Sequence, residues 1–243
     1  MLFRSRPGLR TQVAFFEAWP PEEFPVTFYR LPPSPETLLV EDEVARPALE
    51  DAQLMVVSGS LLASDPARST VLAVLSRRAE ARHSRPRAWT VLDLDWRPAL
   101  WDEPDGYHGL IRQAAGTCDV LIGSDAEFAA ARLRPEDAIG LGPGLVVIKH
   151  GSEGVSLLTA EGRTTVAPIP VDVVCALGAG DALTAAFGAA LLDGLDPFRA
   201  LERGNAAGAI VATRLMCSTA MPTSDEIDAV LDRRPGHPVG ARS

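Results

Sequence analysis

The chain has 243 residues, of which 47% are hydrophobic, so it can bury a core of ordinary size in one α/β domain, with or without a small appendage. Lys and Arg number 23 against 32 Asp and Glu, which gives a formal net charge of −9. An acidic surface argues against non-specific nucleic-acid binding and against an anionic membrane as partner. The three widely spaced cysteines and four scattered histidines argue against a disulfide framework and a structural zinc site.

The termini and the apolar runs bear on the compartment. The longest apolar run is too short and too rich in glycine to span a bilayer, and residues 1–10 lack the apolar core of a signal peptide. We therefore expect a cytoplasmic protein. Its predicted organisation is a disordered leader over 1–10, one domain over 11–232 and a disordered tail over 233–243.

In chain order, the first predicted elements are two strands within residues 11–31, in QVAFFEAW and PVTFYRL, with prolines and acids between them. The continuous apolar run QLMVV then predicts a buried strand. Asp65 and Pro66 follow, and they predict the N-cap and the first position of an amphipathic helix.

The rest of the chain alternates between strands and helices. Strands are predicted in AWTVLDLD, CDVLIG and LVVIK, helices in GYHGLIRQAAG and over 124–132, and a hairpin around Glu161–Gly162. Three more helices are predicted, one after Asp181, one over 197–216 and one over 224–232. This alternation, with strands that are apolar throughout, predicts an α/β fold whose parallel sheet is covered on both faces.

Polar residues stand where the predicted strands end. Ser58, Arg97, Ser124 and Lys149 each lie at or just after the end of a strand. The carboxyl ends of parallel strands meet at one edge of a sheet, and ligands of such folds bind there. We therefore expect these four side chains to gather at one edge.

The most distinctive stretch runs over 171–194, where Gly178 and Gly180 flank an alanine and Asp181 follows. A Gly-X-Gly turn leading into a helix exposes backbone N–H groups, which together with the helix dipole form a site for an anion. An acid at the helix start can take a proton from a hydroxyl beside that anion, as phosphoryl transfer requires. Asp is also a good helix N-cap, so the pattern alone leaves a purely structural role open.

This stretch, followed by GNAAGAIVATR and CSTAMPT, resembles the C-terminal signature of the ribokinase-like (PfkB) carbohydrate kinases. The resemblance implies a ribokinase-like three-layer sandwich with a mostly parallel sheet, N-terminally incomplete, in which residues 11–31 are remnants of a β lid. The segments TQVAFFEAWPPEEFPVTFYR, LDLDWRPALW, GSDAEF and VIKHGSEGV are most similar to the subgroup that phosphorylates 5-dehydro-2-deoxygluconate in inositol catabolism. Kinases of 2-keto-3-deoxygluconate share parts of the pattern.

The resemblance implies an ATP-dependent phosphoryl transfer and assigns its chemistry to the Gly-X-Gly turn. Asp181 would take the proton from the sugar hydroxyl. The backbone at Gly178, Ala179 and Gly180 would form the anion hole for the transferring phosphoryl group, because the charge on that group must be neutralised.

The resemblance also implies metal sites. Glu127 would organise Mg²⁺ and its waters within an Asn-X-X-Glu motif whose Asn is replaced here by Ser124. A capping box between Ser124 and Glu127 is the structural alternative. Asp172, Cys217 and Ser218 would border a site for a monovalent cation, although Cys217 is equally well explained as a small buried apolar residue.

Five residues resemble contacts on the nucleotide side: Ser124, Lys149, Gly151, Gly154 and Asn205. Lys149 would meet phosphate as a point charge, and Gly151 and Gly154 would permit a tight turn under the nucleotide. A strand-to-hairpin turn with a solvated lysine is the alternative. Asn205 lies on a helix of small residues expected to flank the adenine, and close helix packing alone would select the same residue types.

Three residues are assigned to the sugar. Related acid-sugar kinases hold a keto sugar with an Arg at a strand end and with aromatic and basic lid residues, which points to Arg97, Tyr29 and Arg30. For Arg30, next to a proline-rich loop, a solvated charge is the alternative. Trp101 is expected to lie in the core. The implied partners are a sugar acid and ATP, and a homodimer is one option for the assembly.

Members of the family begin with a strand that carries an Asp for the sugar, a Gly-Gly segment and a further strand–helix–strand portion, none of which precedes Thr11. A start codon assigned too late and a truncated gene are the two explanations considered. Missing inner strands would expose sheet edges, so we expect poor solubility or weak activity. Three functions stay open: a kinase of 5-dehydro-2-deoxygluconate, a kinase of 2-keto-3-deoxygluconate or fructose, and a catalytically impaired protein that binds nucleotide or sugar without turnover.

Overall fold

A computed structural model describes residues 8–17, 26–29, 34–41, 52–82, 88–215 and 218–233. The chain divides into two compact units. Unit 1 comprises Met1–Phe16, Val26–Ile148 and Leu158–Glu161, and unit 2 comprises Glu17–Pro25, Lys149–Leu157 and Gly162–Ser243.

The described residues contain eight strands: β1 Val13–Phe16, β2 Val26–Tyr29, β3 Leu54–Ser58, β4 Trp89–Asp93, β5 Val120–Ser124, β6 Leu145–Lys149, β7 Val155–Thr159 and β8 Gly162–Val166. Strands β1 and β2, both predicted within residues 11–31, form an antiparallel pair. The other strands form one sheet in the order β3-β4-β5-β6-β7-β8. Strand β4 runs parallel to both β3 and β5, which confirms the parallel sheet predicted from the alternation of strands and helices.

The described residues also contain seven α-helices: α1 Ala67–Glu80, α2 Tyr107–Ala115, α3 Asp125–Ala130, α4 Pro135–Ile139, α5 Ala179–Leu192, α6 Pro197–Ala212 and α7 Ser224–Leu231. None of the helices in these ranges is both long enough and apolar enough to cross a bilayer.

The parallel strands of unit 1 form its core. Val91 of β4 and Ile122 of β5 have no exposed surface, as expected for strands covered on both faces. Strand β3 departs from the prediction of a buried strand, because Val56 is 48% exposed while Met55 and Val57 are buried. It stands first in the sheet order, and only one of its faces packs on the core, so its burial alternates with a period of two.

Helix α1 confirms the predicted amphipathic helix, because its buried positions recur with helical spacing: Ala67, Thr70, Val71, Val74, Leu75 and Arg78. Its start differs from the prediction. The helix begins at Ala67, so Pro66 occupies the N-cap position instead of the first helical position. The Asp65 carboxylate still accepts a hydrogen bond from the Ser69 N–H, at 3.2 Å.

Two other helices also differ from the prediction. Helix α4 is absent from the predicted elements, although Pro135, Glu136 and Asp137 at its start are typical of a first helical turn. Helix α6 ends at Ala212, whereas the predicted helix runs to Met216, which lies outside the described residues.

Unit 2 contains strand β8, the first three residues of β7 and helices α5 to α7, while the end of β7 and the turn of the β7–β8 hairpin belong to unit 1. The hairpin has a two-residue turn at Ala160–Glu161, and Gly162, which follows, has a φ of 139°. Small side chains of α5 and α6 and larger ones of α7 share a second core: Ala182, Ala206, Ala207, Val211, Ile227 and Leu231. Helix α6 is capped by the Asp196 carboxylate, and α7 begins with a capping box between Thr223 and Glu226.

Candidate active site

The start of helix α5 is shaped by its glycines. Gly178 has a φ of 87°, a left-handed conformation that glycine adopts without strain, and it is the N-cap residue. It offers no side chain to the free N–H groups of the first turn. The Ala179 amide donates to the Ala176 carbonyl at 3.1 Å, while within the described residues the amides of Gly178 and Gly180 donate to no backbone carbonyl. Two of the three residues predicted for the anion hole thus keep an amide for a ligand.

Asp181 is the third residue of α5, and its side chain is exposed. The N-cap position belongs to Gly178, so the alternative in which Asp181 caps the helix is wrong. The helix dipole makes the first turn a favourable place for a negatively charged side chain. The structure therefore offers an accessible carboxylate beside a turn with free amides.

Helices α5 and α6 approach closely through glycine. A Cβ atom on Gly204 would lie 3.0 Å from the Leu183 carbonyl oxygen, and one on Gly208 would lie 3.1 Å from the Ala179 carbonyl oxygen. Both distances are shorter than an ordinary carbon–oxygen contact. Close packing therefore explains the small residues of α6, and at Gly208 it also holds the start of α5 in place.

Replacing Gly208 with Val is expected to destabilise the protein by about 1 to 3 kcal/mol, the usual cost of overpacking a tight contact. The start of α5 should be displaced with it, so the affinity for ATP should fall. Chemical unfolding and calorimetric titration with a non-hydrolysable ATP analogue measure the two effects. The matched control is Gly109→Val on α2, where a Cβ atom would meet nothing within 4 Å. Equal stability of G208V and the unmodified protein would contradict the assigned packing.

A cavity of about 530 Å³ opens beside the start of α5 within unit 2. Six predicted site residues lie in its wall: Lys149, Gly151, Gly154, Ala179, Gly180 and Asn205. The segment 168–173, which carries no prediction except at Asp172, contributes Pro168, Ile169, Pro170, Val171 and Val173. The mostly apolar wall, with a few polar groups at one end, is typical of a small-molecule site.

Lys149 is the single lysine in a sequence that contains 22 arginines. It ends strand β6, and its ammonium lies over Gly180, because a Cβ atom built on that glycine would be 3.5 Å from Nζ. A positive charge thus stands at the positive end of the α5 dipole, which is a favourable place for an anion. Lys149 is half-buried, and its contact with phosphate stays a prediction beside the alternative of a solvated lysine in a turn.

The loop after Lys149 needs its second glycine for steric reasons. Gly154 has a φ of 97°, and a Cβ atom on it would lie 2.4 Å from the Val166 carbonyl oxygen. Gly151 has a φ of 59°, but a Cβ atom there would meet nothing within 4 Å. The imidazole of His150 is hydrogen-bonded to the Ser156 hydroxyl at 2.8 Å, which ties this loop to β7.

Asn205 is buried on α6, with 7% of its surface exposed. Its side-chain N–H donates to the Ala167 carbonyl at 2.9 Å. This bond holds the chain just before the apolar segment 168–173 that forms part of the cavity wall. Asn205 thus fixes the wall of the cavity, and its contact with adenine stays a prediction.

Ser124 and Glu127 of unit 1 form a capping box at the start of α3. The Ser124 N–H donates to Glu127 Oε2 at 2.6 Å, and the Glu127 N–H donates to the Ser124 hydroxyl at 3.3 Å. The structural alternative is thus present. Across the ranges that the structure describes, no group of three or more His, Cys, Asp or Glu residues could hold a metal. Mg²⁺ at nucleotide sites keeps several waters and needs only one or two carboxylates, so Glu127 remains a chemically suitable ligand.

Arg97 of unit 1 is held by a carboxylate that the sequence did not single out as a site. Its Nε–H donates to Asp95 Oδ1 at 2.8 Å, and the Ser58 hydroxyl donates to Asp95 Oδ2 at 2.5 Å. Burial would raise the pKa of Asp95, but the hydrogen bond from Ser58 and the charge of Arg97 outweigh it, and the pKa lies below its ordinary value. The only sequence signal for this role was the pair of acids at the end of β4.

The low pKa of Asp95 predicts a pH-dependent stability. The ionised carboxylate stabilises the native state above its ordinary pKa of 3.8, and this contribution is lost as the pH falls through the lower native value. Asp95→Asn should cost about 1 to 3 kcal/mol at pH 7, the range for hydrogen bonds to a charged group, and less at pH 3. Urea unfolding at both values measures the difference. A cost that stays constant over this interval would contradict the assignment.

The remaining predicted residues differ in exposure, and two of them lie outside the described residues. Tyr29 is 63% exposed, and its ring meets that of Phe15 edge-on at 5.6 Å. Arg30 and Cys217 lie outside the described residues, while Asp172 and Ser218 are exposed. Trp101 is 6% exposed, which confirms its expected place in the core. The roles of Tyr29 and Arg30 in binding sugar and of Asp172 and Ser218 in binding a cation stay predictions.

Comparisons with known proteins show the family of the chain. A family model described as the pfkB family carbohydrate kinase matches residues 11–224. The 5-dehydro-2-deoxygluconokinase of Bacillus subtilis (strain 168) is 32% identical over 237 residues, which cover 93% of this chain and 70% of that relative. The chain therefore belongs to the pfkB family of carbohydrate kinases, as its motifs predicted.

Solved structures confirm the fold. The fructokinase of Vibrio cholerae O395 matches with a TM-score of 0.76 at 22% identity, over 93% of this chain and 75% of that one. The aminoimidazole riboside kinase of Salmonella enterica matches with a TM-score of 0.66 at 27% identity, over 73% of this chain and 62% of that one. The protein thus has a ribokinase-like α/β fold with a mostly parallel central sheet, while the chain spans less than the full length of these relatives.

Proposed function

We propose that the protein transfers the γ-phosphate of ATP to a hydroxyl of 5-dehydro-2-deoxygluconate. The observation that carries this proposal is the start of α5, where the exposed Asp181 carboxylate follows the amides of Gly178 and Gly180, which donate to no backbone carbonyl of the described residues. The Lys149 ammonium lies beside Gly180, and these two residues line one cavity. A base for a hydroxyl and a positive cradle for a phosphate are what phosphoryl transfer needs.

The proposed chemistry divides between these groups. Asp181 accepts the proton of the sugar hydroxyl while the hydroxyl oxygen bonds to the γ-phosphorus. The bond from that phosphorus to the bridging oxygen breaks, and ADP leaves. The amides of Gly178 and Gly180 and the charge of Lys149 stabilise the three equatorial oxygens of the group in transfer.

The cavity of unit 2 suits a nucleotide. Its apolar wall can cover a base, and Asn205 lies in the same wall. Gly151 and Gly154 have no side chains, so a ligand can approach the backbone next to Lys149. The Salmonella enterica relative is described as a complex with an ATP analogue, which supports the choice of nucleotide. Mg²⁺, when bound, would neutralise phosphate charge, with Glu127 holding the ion and its waters near Ser124.

The choice of sugar rests on the Bacillus subtilis relative and on Arg97. Its guanidinium is 42% exposed on the side chain, and only its Nε–H is hydrogen-bonded within the described residues. Two terminal nitrogens therefore remain for a planar oxyanion such as the carboxylate of a sugar acid. A neutral sugar such as fructose has no group that would use them.

The experiment that tests the proposal is ATP consumption with 5-dehydro-2-deoxygluconate, 2-keto-3-deoxygluconate and fructose as acceptors. We expect turnover that is fastest with the first compound. Faster turnover of another sugar would overturn the proposed substrate and leave the proposed kinase activity intact. Binding of ATP and sugar acid without any turnover would instead support the third function, a catalytically impaired protein that binds its ligands.

A further inference from the structure

The chain turns sharply after strand β4. The Leu94 amide donates to the Ile122 carbonyl at 2.8 Å and extends the strand ladder by one bond. The Leu94 carbonyl accepts a hydrogen bond from the buried Tyr107 hydroxyl at 2.8 Å, and a Cβ atom on Gly59 would lie 2.3 Å from the same oxygen. Leu94 is fully buried, and both its amide and its carbonyl are hydrogen-bonded. The next residue, Asp95, has a φ of 37°.

A left-handed φ is unfavourable for most side chains, and Asp and Asn tolerate it better than the others. Here it turns the Asp95 carboxylate back towards the end of β3. The carboxylate joins the Ser58 hydroxyl to the Arg97 Nε–H, and the Ser58 and Ser60 hydroxyls are 2.6 Å apart. Its side chain is only 24% exposed. The backbone strain is thus offset by a network in which both carboxylate oxygens accept hydrogen bonds.

The residue between Asp95 and Arg97 is fixed as well. The Trp96 ring lies 4.3 Å from the Tyr107 ring and 5.9 Å from the Trp101 ring, between centroids. Tyr107 is fully buried and Trp101 is nearly so. The backbone next to Arg97 is therefore held rigidly by the packing of Trp96. Asp95 fixes the guanidinium of Arg97 through Nε alone.

We propose that Asp95 is a positioning residue, which orients Arg97 so that its two terminal nitrogens bind the carboxylate of the sugar acid. This inference rests on the proposed function. A side chain restrained at Nε loses little further rotamer freedom when its terminal nitrogens bind, so the affinity for a carboxylate rises. Asp95 itself does not touch the substrate.

A competing interpretation treats Asp95 as a stand-in for the substrate carboxylate that blocks Arg97. A blocking carboxylate would engage the guanidinium through two parallel hydrogen bonds, as bidentate pairs do. Asp95 makes one bond to Arg97, and its other oxygen is used by Ser58. The geometry therefore favours positioning.

The test compares Asp95→Gly with Asp95→Asn. Glycine accepts the left-handed φ without strain and removes the carboxylate, whereas asparagine keeps an acceptor for Arg97. Calorimetry should show that D95G binds 5-dehydro-2-deoxygluconate roughly tenfold to hundredfold more weakly, while its affinity for an ATP analogue changes less than about twofold. D95N should recover part of the loss. In an R97A background, D95G should add less than about a twofold change, because the two residues act together.

A second readout does not depend on substrate. The Arg97 Nε–H signal in NMR spectra should be protected from exchange in the unmodified protein and lose that protection in D95G. The control is Asp105→Ala, which removes an equally short but exposed ion pair with Arg132 and should change neither readout.

Each outcome decides the matter. Equal or tighter binding of the sugar acid by D95G would overturn the positioning role and leave the proposed function intact, and tighter binding would support the blocking interpretation. An unmodified protein that binds neither nucleotide nor sugar acid would overturn the proposed function, and this inference with it. Weaker binding of D95G that persists in the R97A background would show that Asp95 acts on the fold and not through Arg97.

Discussion

Replacing Asp181 with Asn is expected to lower kcat by roughly two to four orders of magnitude, the usual contribution of a general base. The amide is close in size to the carboxylate but cannot accept the hydroxyl proton. Because Asp181 is exposed and the helix is capped at Gly178, the fold and the affinity for ATP should stay nearly unchanged. Steady-state kinetics, circular dichroism and calorimetric titration with an ATP analogue measure the three quantities.

The matched control for this variant is Asp193→Asn. Asp193 is an exposed acid at the other end of the same helix, where it is the C-cap residue. This variant should stay within about twofold of the unmodified kcat, since a surface substitution away from the site has little effect. Near-normal turnover of D181N would remove Asp181 from the mechanism.

Replacing Lys149 with Met is expected to lower kcat by roughly one hundred to one thousand times, as removal of a group that stabilises developing charge does. The methylene chain is retained, while the charge over Gly180 is lost. Lys149→Arg should recover only part of the rate, because a planar guanidinium with fixed donor directions does not reproduce the compact point charge of an ammonium. Kinetics at varied ATP concentration separate kcat from KM.

Since Lys149 is the single lysine of the sequence, selective ¹³C-methylation gives an NMR signal that reports on it and on the chain terminus alone. That signal should shift more with ADP and aluminium fluoride, which imitate the group in transfer, than with ADP alone. Arg163→Met on strand β8, an exposed position of unit 2, is the control and should leave the kinetics unchanged. A variant K149M with a raised KM for ATP and normal kcat would reduce Lys149 to an ordinary nucleotide contact.

Much of the fold follows from local patterns. The apolar runs of β4 to β6 indicate buried strands, and the alternation with helices predicts their parallel arrangement. Strand β3 shows the limit of this reasoning, because Val56 belongs to an equally apolar run and is nevertheless half exposed. Hydrophobicity predicts that a strand joins a sheet, but the neighbours of that strand decide which of its faces is covered.

The candidate site divides in the same way. The sequence of Gly178 to Asp181 by itself determined a helix that begins after a glycine turn and carries an acid in its first turn, because φ preference and helix capping act between neighbours in the chain. Only the tertiary structure decided that Lys149 lies over Gly180 and that Asp95 joins Ser58, 37 positions away, to Arg97. Contacts between such distant residues depend on which elements become neighbours and how closely they pack, and no local pattern of the chain encodes either.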